Sequence, residues 1–217
     1  AGGSPHVISD LAIWVVPGGV IGARIYHVIS SPEYFFGSKG DPVDIFKIWE
    51  GGLGIWGAIA GGFLVALWKY KREIPFMVFA DAIAPGLLIA QGIGRFGNWF
   101  NGELFGKPLD SWWALEIPLR YRPSGYTQFE TFHPTFLYEA IWCTLIAIVI
   151  LKFGKKFKAG QSFALYVGTY CVGRFFIELI RIDSANTIAG LRVNVWVSVL
   201  VGLGAALYFA RASKKIQ

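Results

Sequence analysis

A polar segment, GRFGNWFNGELFG at positions 94–106, interrupts the end of an apolar stretch of the sequence. Its polar side chains are one arginine, two amides and one carboxylate: Arg95, Asn98, Asn101 and Glu103. A guanidinium group binds phosphate through paired hydrogen bonds and stays charged at any physiological pH. Nearby amides and carboxylates can fix such an arginine or bind hydroxyl groups. The segment therefore suggests an anion site at the end of a helix.

A second charged group lies nearer the C-terminus. Arg174, Glu178 and Arg181 are spaced at i, i+4 and i+7, so all three project from one face of a helix. Two interpretations fit this spacing. The three residues form either an ion-pair ladder that holds a helix bundle together or a polar seam that faces a cavity.

A third polar group, His133-Pro134-Thr135 followed by Tyr138 and Glu139, begins an apolar stretch. Proline is favoured in the first turn of a helix, so the group predicts a helix start. Because the unperturbed pKa of histidine lies near neutrality, His133 is a candidate general base. A structural role, in which His133 makes a hydrogen bond at the helix start, is equally consistent with the sequence. No metal is implied, since neither the histidines nor the two cysteines show ligand spacing.

The elements that must position these residues are apolar. The 217 residues are 54% hydrophobic and 16% charged, whereas soluble domains carry about 25% charged residues. Six apolar stretches are each long enough, at about 1.5 Å per residue, to cross a hydrocarbon layer of about 30 Å. The sequence thus predicts an all-α fold, a polytopic integral membrane helix bundle. The spans are predicted at residues 10–30, 52–70, 76–100, 134–152, 161–181 and 191–211.

Short basic clusters follow the second, fourth and sixth spans. The positive-inside rule places these clusters, and with them both termini, on the cytoplasmic side. The longest connection, 101–133, is then external, and its tryptophans and tyrosines suit the level of the lipid headgroups. Nucleic-acid binding is not expected, because no basic face or known fold accompanies the net charge of +6. The clusters are Lys69-Tyr70-Lys71-Arg72, Lys152 with Lys155, Lys156 and Lys158, and Arg211 with Lys214 and Lys215.

Four arginines lie inside the spans or at their external ends, where a charge costs at least about 2.5–3.5 kcal/mol. Such residues need an anionic partner, and a lipid phosphate is the natural anion at that depth. The glycine-rich segment 51–62, GGLGIWGAIAGG, lacks the pattern of a nucleotide-binding loop. It fits either close helix packing or a lipid cleft. The four arginines are Arg24, Arg95, Arg174 and Arg181.

The segment 94–106 resembles the pattern G-R-x-G-N-[FW]-x-N-x-E-x-x-G of the bacterial prolipoprotein diacylglyceryl transferases. The resemblance continues in the same order over nearly the whole chain. The further segments are 19–26 with an embedded arginine, 49–57 (W-[DE]-G-G-x-x-x-x-G), 81–85 (D-x-x-A-P, at a helix start), 133–139 (H-P-[ST]-x-x-Y-E) and 173–181 (R-x-x-x-E-x-x-R).

This resemblance implies a bacterial inner-membrane protein with seven spans and an outward-facing site that opens sideways to lipid. The implied activity is a transferase reaction: the diacylglyceryl group of phosphatidylglycerol passes to the lipobox cysteine thiol of a preprolipoprotein signal peptide. A thioether forms, glycerol 1-phosphate leaves, and no cofactor is implied. We predict catalysis by Arg95, Glu103, Arg174 and Glu178. We predict substrate binding by Arg24, Gly97, Asn98, Asn101, Gly106, His133, Tyr138, Glu139 and Arg181.

Two features differ from the family pattern. Trp56 stands where the family commonly has a histidine, so such a histidine cannot act as a base here. The family's first helix is not found, which leaves six spans where seven are expected. The opening Ala1-Gly2-Gly3-Ser4-Pro5 also lacks an initiator methionine, so we expect a chain that is incomplete at its start or processed. Residues 1–217 are expected to form a single transmembrane transferase domain.

The implied reaction is displacement of a phosphate ester by a thiolate, so charge developing on the leaving phosphate must be stabilised. Arg95 and Arg174 are predicted to stabilise it, while Glu178 holds Arg174 and Arg181. Glu103 either orients an arginine or takes the thiol proton. A cationic pocket by itself also raises the thiolate fraction. Two other classes stay open: a non-enzymatic anion transporter or channel, and a structural bundle such as an inactive fragment of the transferase.

Overall fold

A computed structural model describes residues 6–36, 40–69 and 75–214. The chain is mostly helical, as predicted, with two antiparallel pairs of two-residue strands. The helices are α1 (His6–Ser30), α2 (Glu33–Phe36), α3 (Ile55–Lys69), α4 (Phe76–Asn101), α5 (Thr135–Phe153), α6 (Gln161–Ile180) and α7 (Val193–Lys214). The strands are β1 (Leu115–Glu116), β2 (Thr131–Phe132), β3 (Thr187–Ile188) and β4 (Leu191–Arg192). Ala1-Gly2-Gly3-Ser4-Pro5, Tyr70-Lys71-Arg72 and Lys215 lie outside the described residues, as do the side chains of Trp56 and Lys214.

Each of the six predicted spans is a helix, and five of these helices are long and apolar enough to cross a membrane. The five are α1, α4, α5, α6 and α7, with mean hydropathies of 1.4 to 1.9. In contrast, α3 has 15 residues, about 22 Å at 1.5 Å per residue, which is shorter than the hydrocarbon layer of about 30 Å. At most 33% of each spanning window is buried within the protein. The remaining apolar surface is left for lipid, as expected of a multi-pass membrane protein.

The chain divides into two compact units, Ala1–Pro75 and Phe76–Gln217. In the first unit, α1 packs against α3 through facing glycines. A Cβ atom at Gly22 would overlap the backbone carbonyl of Gly57, and one at Gly57 would overlap that of Gly22. The segment 51–62 therefore serves close helix packing, and part of it also lines an apolar groove beside α1. The expectation of a single domain stays a prediction.

The second unit has its core between α4 and α5. Both helices supply small and branched side chains to it, and α6 and α7 pack along the same bundle. The cysteines Cys143 and Cys171 are free thiols in buried positions, so they act as small apolar packing groups. The buried core residues are Ala84, Leu88, Cys143, Ile146, Ala147 and Ile150.

Asp81 ties α4 to the beginning of α6. Its carboxylate oxygens accept hydrogen bonds from the backbone N–H groups of Gly160, at 2.6 Å, and Phe163, at 2.8 Å. Donors in the first turn of a helix have no acceptor within that helix, so this carboxylate caps α6. Because α4 begins at Phe76, Asp81 lies in its second turn. The prediction that segment 81–85 starts a helix is therefore wrong, and its aspartate caps a different helix.

The connection between α4 and α5 is folded. In it, β1 pairs with β2, and Leu115 lies opposite Phe132. Phe132 forms a small buried core with Phe105 and Ile117. Trp112, in contrast, is 92% exposed, which suits an aromatic residue at the level of lipid headgroups. The side of the membrane on which this connection lies stays a prediction.

Candidate active site

The polar segment at the end of α4 folds as a Schellman motif. Gly102 adopts a left-handed conformation with φ of 64°, and its N–H donates to the carbonyl of Trp99 at 3.1 Å. The N–H of Glu103 donates to the carbonyl of Asn98 at 3.0 Å. This pair of bonds defines the motif, in which a glycine without a Cβ penalty turns the chain back over the last helical turn. The side chain of Glu103 is thereby brought beside the amides of that turn.

Leu104 continues the sharp turn after Glu103. Its φ of 59° is left-handed, a conformation that costs a residue with a side chain about 1–2 kcal/mol. The Thr135 hydroxyl at the start of α5 donates a hydrogen bond to the Leu104 carbonyl and fixes this conformation. Strained residues of this kind cluster at functional sites.

Arg95 connects the end of α4 to α5 and to Glu103. Its Nε lies 3.0 Å from Oε1 of Glu139, and its Nη1 donates to Oδ1 of Asn98 at 3.3 Å. The amide nitrogen of Asn98 donates to Oε1 of Glu103 at 3.1 Å, and that of Asn101 donates to the same oxygen at 3.2 Å. Glu103 is therefore linked to Arg95 through Asn98 rather than by direct contact.

Glu139 joins the arginines of two different helices. Its Oε1 meets Arg95 of α4, and its Oε2 lies 3.3 Å from Nη1 of Arg174 on α6. Tyr170 adds a hydroxyl that donates to Oε1 at 2.7 Å. The Glu139 side chain is only 4% exposed, so its charge depends on these partners. Glu139, predicted to bind substrate, is thus occupied in holding two arginines together.

Glu178 is the centre of the second charged group and is fully buried. Its Oε2 lies 2.9 Å from Arg174 and 3.7 Å from Arg181. Its Oε1 lies 2.7 Å from Nε of Arg192, beside the amide of Asn194 at 3.3 Å. The predicted face of α6 is therefore an ion-pair ladder, and it continues beyond α6 to the beginning of α7.

Asp183 completes this ladder. Arg181 donates to it through Nε and Nη2, both at 2.7 Å, and Arg192 donates through Nη2 at 2.8 Å. Partial burial alone would raise the pKa of the Asp183 carboxyl, but the hydrogen bonds and positive charges of the two arginines outweigh it and lower that pKa. Asp183 is therefore ionised at neutral pH, and the ladder pairs four arginines with three carboxylates for a net charge of +1.

The four arginines differ in the donors that they have left. Each of the three nitrogens of Arg181 and of Arg192 lies within 3.7 Å of a carboxylate or a backbone carbonyl. Within the ranges that the structure describes, Nη2 of Arg95 and Nε of Arg174 meet no acceptor. Arg95 also lines a small cleft, together with Asn98, Glu139 and Arg181. Arg95 and Arg174 therefore each keep a nitrogen that an anion could meet, whereas Arg181 and Arg192 are held more fully by the ladder.

His133 is hydrogen-bonded just before α5. Its Nδ1 lies 3.1 Å from the Tyr138 oxygen, which also accepts from the indole N–H of Trp113 at 3.1 Å. Burial and the charge of Lys107 lower the pKa of His133, which favours the neutral ring. One ring nitrogen is therefore engaged by Tyr138, and the role of His133 in substrate binding stays a prediction.

The two predicted glycines of the segment differ in their surroundings. The N–H of Gly106 donates to the His133 carbonyl at 3.0 Å, and a Cβ here would lie 3.1 Å from the Ile180 carbonyl. Gly106 thus permits close contact between the connection and the end of α6. A Cβ at Gly97 would have nothing within 4 Å, so its role in substrate binding stays a prediction.

A family model described as prolipoprotein diacylglyceryl transferase matches residues 2–211. The chain belongs to this family. A phosphatidylglycerol–prolipoprotein diacylglyceryl transferase 2 of Streptomyces coelicolor is 53% identical over 94% of this chain and 65% of its own length. Proteins named phosphatidylglycerol–prolipoprotein diacylglyceryl transferase in Streptomyces griseus and Frankia alni are 50% and 49% identical, over 98% and 95% of this chain. The chain covers 65% and 55% of those two relatives, so it spans between just over half and just under two thirds of their lengths.

Membership of the transferase family confirms the resemblance found in the sequence. The ion-pair ladder also contains residues that the sequence analysis did not predict as site residues. Each of them is hydrogen-bonded or ion-paired to a predicted site residue. The sequence offers one signal for two of them: Asp183 lies just after α6, and Arg192 lies just before α7. The missed residues are Tyr170, Asp183, Arg192 and Asn194.

Arg24 lies in the first unit and has different partners from the other embedded arginines. It is 8% exposed and donates to the carbonyls of Asp44, Ile45, Gly51 and Gly52. These acceptors engage all three guanidinium nitrogens. Arg24 therefore organises the segment before α3, and its role in substrate binding stays a prediction.

Proposed function

We propose that this chain transfers the diacylglyceryl group of phosphatidylglycerol to the lipobox cysteine of preprolipoproteins. The names of its transferase relatives support this substrate pair. The observation that carries the proposal is the pair of arginines on Glu139. Arg95 and Arg174 come from different helices, share one buried carboxylate and keep free N–H groups. Such a pair suits the phosphate of a lipid headgroup.

The reaction explains why two charged donors are needed. The cysteine sulfur attacks the glycerol carbon that carries the phosphate ester, and a C–S bond forms as the C–O bond breaks. The electron pair of that bond stays on the leaving glycerol 1-phosphate. Preorganised donors that meet this developing charge contribute about 2.7–4 kcal/mol each in comparable sites. Arg95 and Arg174 are placed to do so.

The remaining ladder keeps these donors in position. Arg174 is held by Glu178, which is held in turn by Arg181 and Arg192. Because every nitrogen of Arg181 and Arg192 lies near a carboxylate or carbonyl of the protein, their role in this proposal is to position Arg174. Glu178, predicted to be catalytic, has the same positioning role.

The protein is a multi-pass membrane protein, and we propose that it lies in the bacterial plasma membrane with the site facing outwards. The basic residues that follow α5 and the end of α7 support a cytoplasmic position for that side and for the C-terminus. The exposed aromatics of the connection between α4 and α5 support its place at the opposite headgroup layer.

The proposal is tested with the purified chain in phosphatidylglycerol vesicles and a lipobox peptide, with thioether formation followed by mass spectrometry. Arg95→Ala and Arg174→Ala should each lower the rate about 10²–10³-fold. The matched control is Arg120→Ala, which removes an exposed arginine of the connection and should change the rate little. Thioether formation at the control rate in both variants would refute the phosphate role. Absence of product from the unaltered chain would refute the activity itself.

A further inference from the structure

We infer that Glu103 removes the proton of the attacking thiol through its Oε2 atom. This inference rests on the proposed function and adds the residue that performs its proton transfer. A free thiol has a pKa near 8.5 and is a weak nucleophile at neutral pH. A site for thiol alkylation therefore gains from a base beside the sulfur.

Glu103 has one oxygen engaged and one oxygen open. Oε1 accepts from the amides of Asn98 and Asn101, at 3.1 and 3.2 Å. Over the described part of the chain, Oε2 meets no donor, and the side chain is exposed. The two amide bonds fix the carboxylate plane at the end of α4. The open oxygen is thereby presented with its lone pairs free, as a general base requires.

The other titratable groups near the arginines are committed elsewhere. Glu139 and Glu178 are almost fully buried against arginines, and Asp183 accepts from Arg181 and Arg192. Nδ1 of His133 is engaged in a hydrogen bond with Tyr138. Among the described residues around the site, Glu103 is thus the carboxylate with an accessible, unpartnered oxygen.

Glu103 is linked to the proposed phosphate site through one side chain. Asn98 contacts Nη1 of Arg95 with its oxygen and Oε1 of Glu103 with its nitrogen. One amide therefore separates the group proposed to bind the leaving phosphate from the group proposed to take the proton.

The complete step balances with these groups alone. Oε2 of Glu103 takes the S–H proton, and the sulfur forms a bond to the glycerol carbon. The bond from that carbon to the phosphate oxygen breaks, and its electron pair leaves with glycerol 1-phosphate, neutralised by Arg95 and Arg174. Glu103 returns its proton to water after the product has left.

The test uses Glu103→Gln, which keeps an oxygen for Asn98 and Asn101 but removes the base. At pH 7 the variant should lose about 10²–10⁴-fold in rate. Part of the lost rate, about 30-fold, should return between pH 7 and the thiol pKa near 8.5, at about tenfold per pH unit. A peptide with selenocysteine in place of the lipobox cysteine should react equally well with both proteins, because a selenol is already ionised at pH 7. The matched control is Glu116→Gln, an exposed carboxylate of the same connection.

The outcomes separate the two proposals. A Glu103→Gln rate within about threefold of the unaltered chain would exclude a base worth 10²-fold or more. A large loss that stays constant with pH and persists with the selenocysteine peptide would make Glu103 a positioning residue and overturn the inference. In both cases the unaltered chain still forms thioether, so the proposed function stands. An unaltered chain without product overturns both.

Discussion

Replacing Glu139 by glutamine tests the arrangement of the two arginines most directly. The substitution preserves the shape of the side chain and removes one buried negative charge. Arg95 and Arg174 then face each other across an uncharged amide. Because both guanidinium groups contact opposite oxygens of this carboxylate, a single change affects both members of the proposed phosphate site.

The size of the effect follows from the contacts. The guanidinium charges lie roughly 7 Å apart across the carboxylate, so at an effective dielectric constant of about 20 they repel by roughly 2 kcal/mol. Removing one partner of a buried ion pair costs about 3–5 kcal/mol. We therefore expect the free energy of unfolding to fall by about 3–5 kcal/mol, and Tm by about 10 °C for a chain of this size. Displacement of the arginines by about 1 Å should also lower the transfer rate about 10²-fold.

Thermal unfolding in detergent and thioether formation in vesicles measure the two effects. The double variant Glu139→Gln with Arg95→Gln removes one of the two repelling charges, so it should recover roughly 2 kcal/mol of stability. It should nevertheless stay inactive, because Arg95 is lost. Glu130→Gln, at an exposed position, is the control for loss of a carboxylate. If Glu139→Gln unfolds at the same temperature as this control, or if the double variant is less stable than the single one, the reasoning is refuted.

Two further predictions concern stability. Asp81→Ala should remove the cap of α6 and lower the free energy of unfolding by about 0.5–2 kcal/mol. Thermal unfolding of the variant in detergent measures this loss, and an unchanged Tm would contradict the cap. Because the pKa of His133 is lowered in the fold, the unfolded chain binds a proton more readily, and stability should fall as the pH drops below about 6.5. His133→Gln should flatten this dependence between pH 5 and 7, and an identical slope in both proteins would show that His133 does not cause it.

The spans and the end of α4 could be predicted because their causes are local. Runs of apolar residues set the helices, and a glycine after Asn101 sets the Schellman motif. The spacing of Arg174, Glu178 and Arg181 on one face needs only helical periodicity. In each case the decisive residues lie within a few positions of one another.

The partners of the arginines could not be predicted in the same way. Glu139 joins Arg95 and Arg174, which are 79 positions apart in the sequence, because α4, α5 and α6 pack side by side. Arg24 is a further case, since its acceptors are backbone carbonyls that every residue carries. Sequence indicates that a buried arginine needs a partner, but only packing decides whether that partner is a ligand or the protein itself.

The cap that Asp81 provides also determines how α4 and α6 can move. Asp81 and Arg95 are fourteen positions apart, about 21 Å along the helix. The two helices are thus fastened near one end by the cap and near the other through Glu139. A slip by one helical turn, about 5.4 Å, would break both fastenings together. These two fastenings therefore hold the longitudinal register of Arg95 against Arg174, and under the proposed function a lipid phosphate would be accommodated by side-chain rotation rather than by sliding helices.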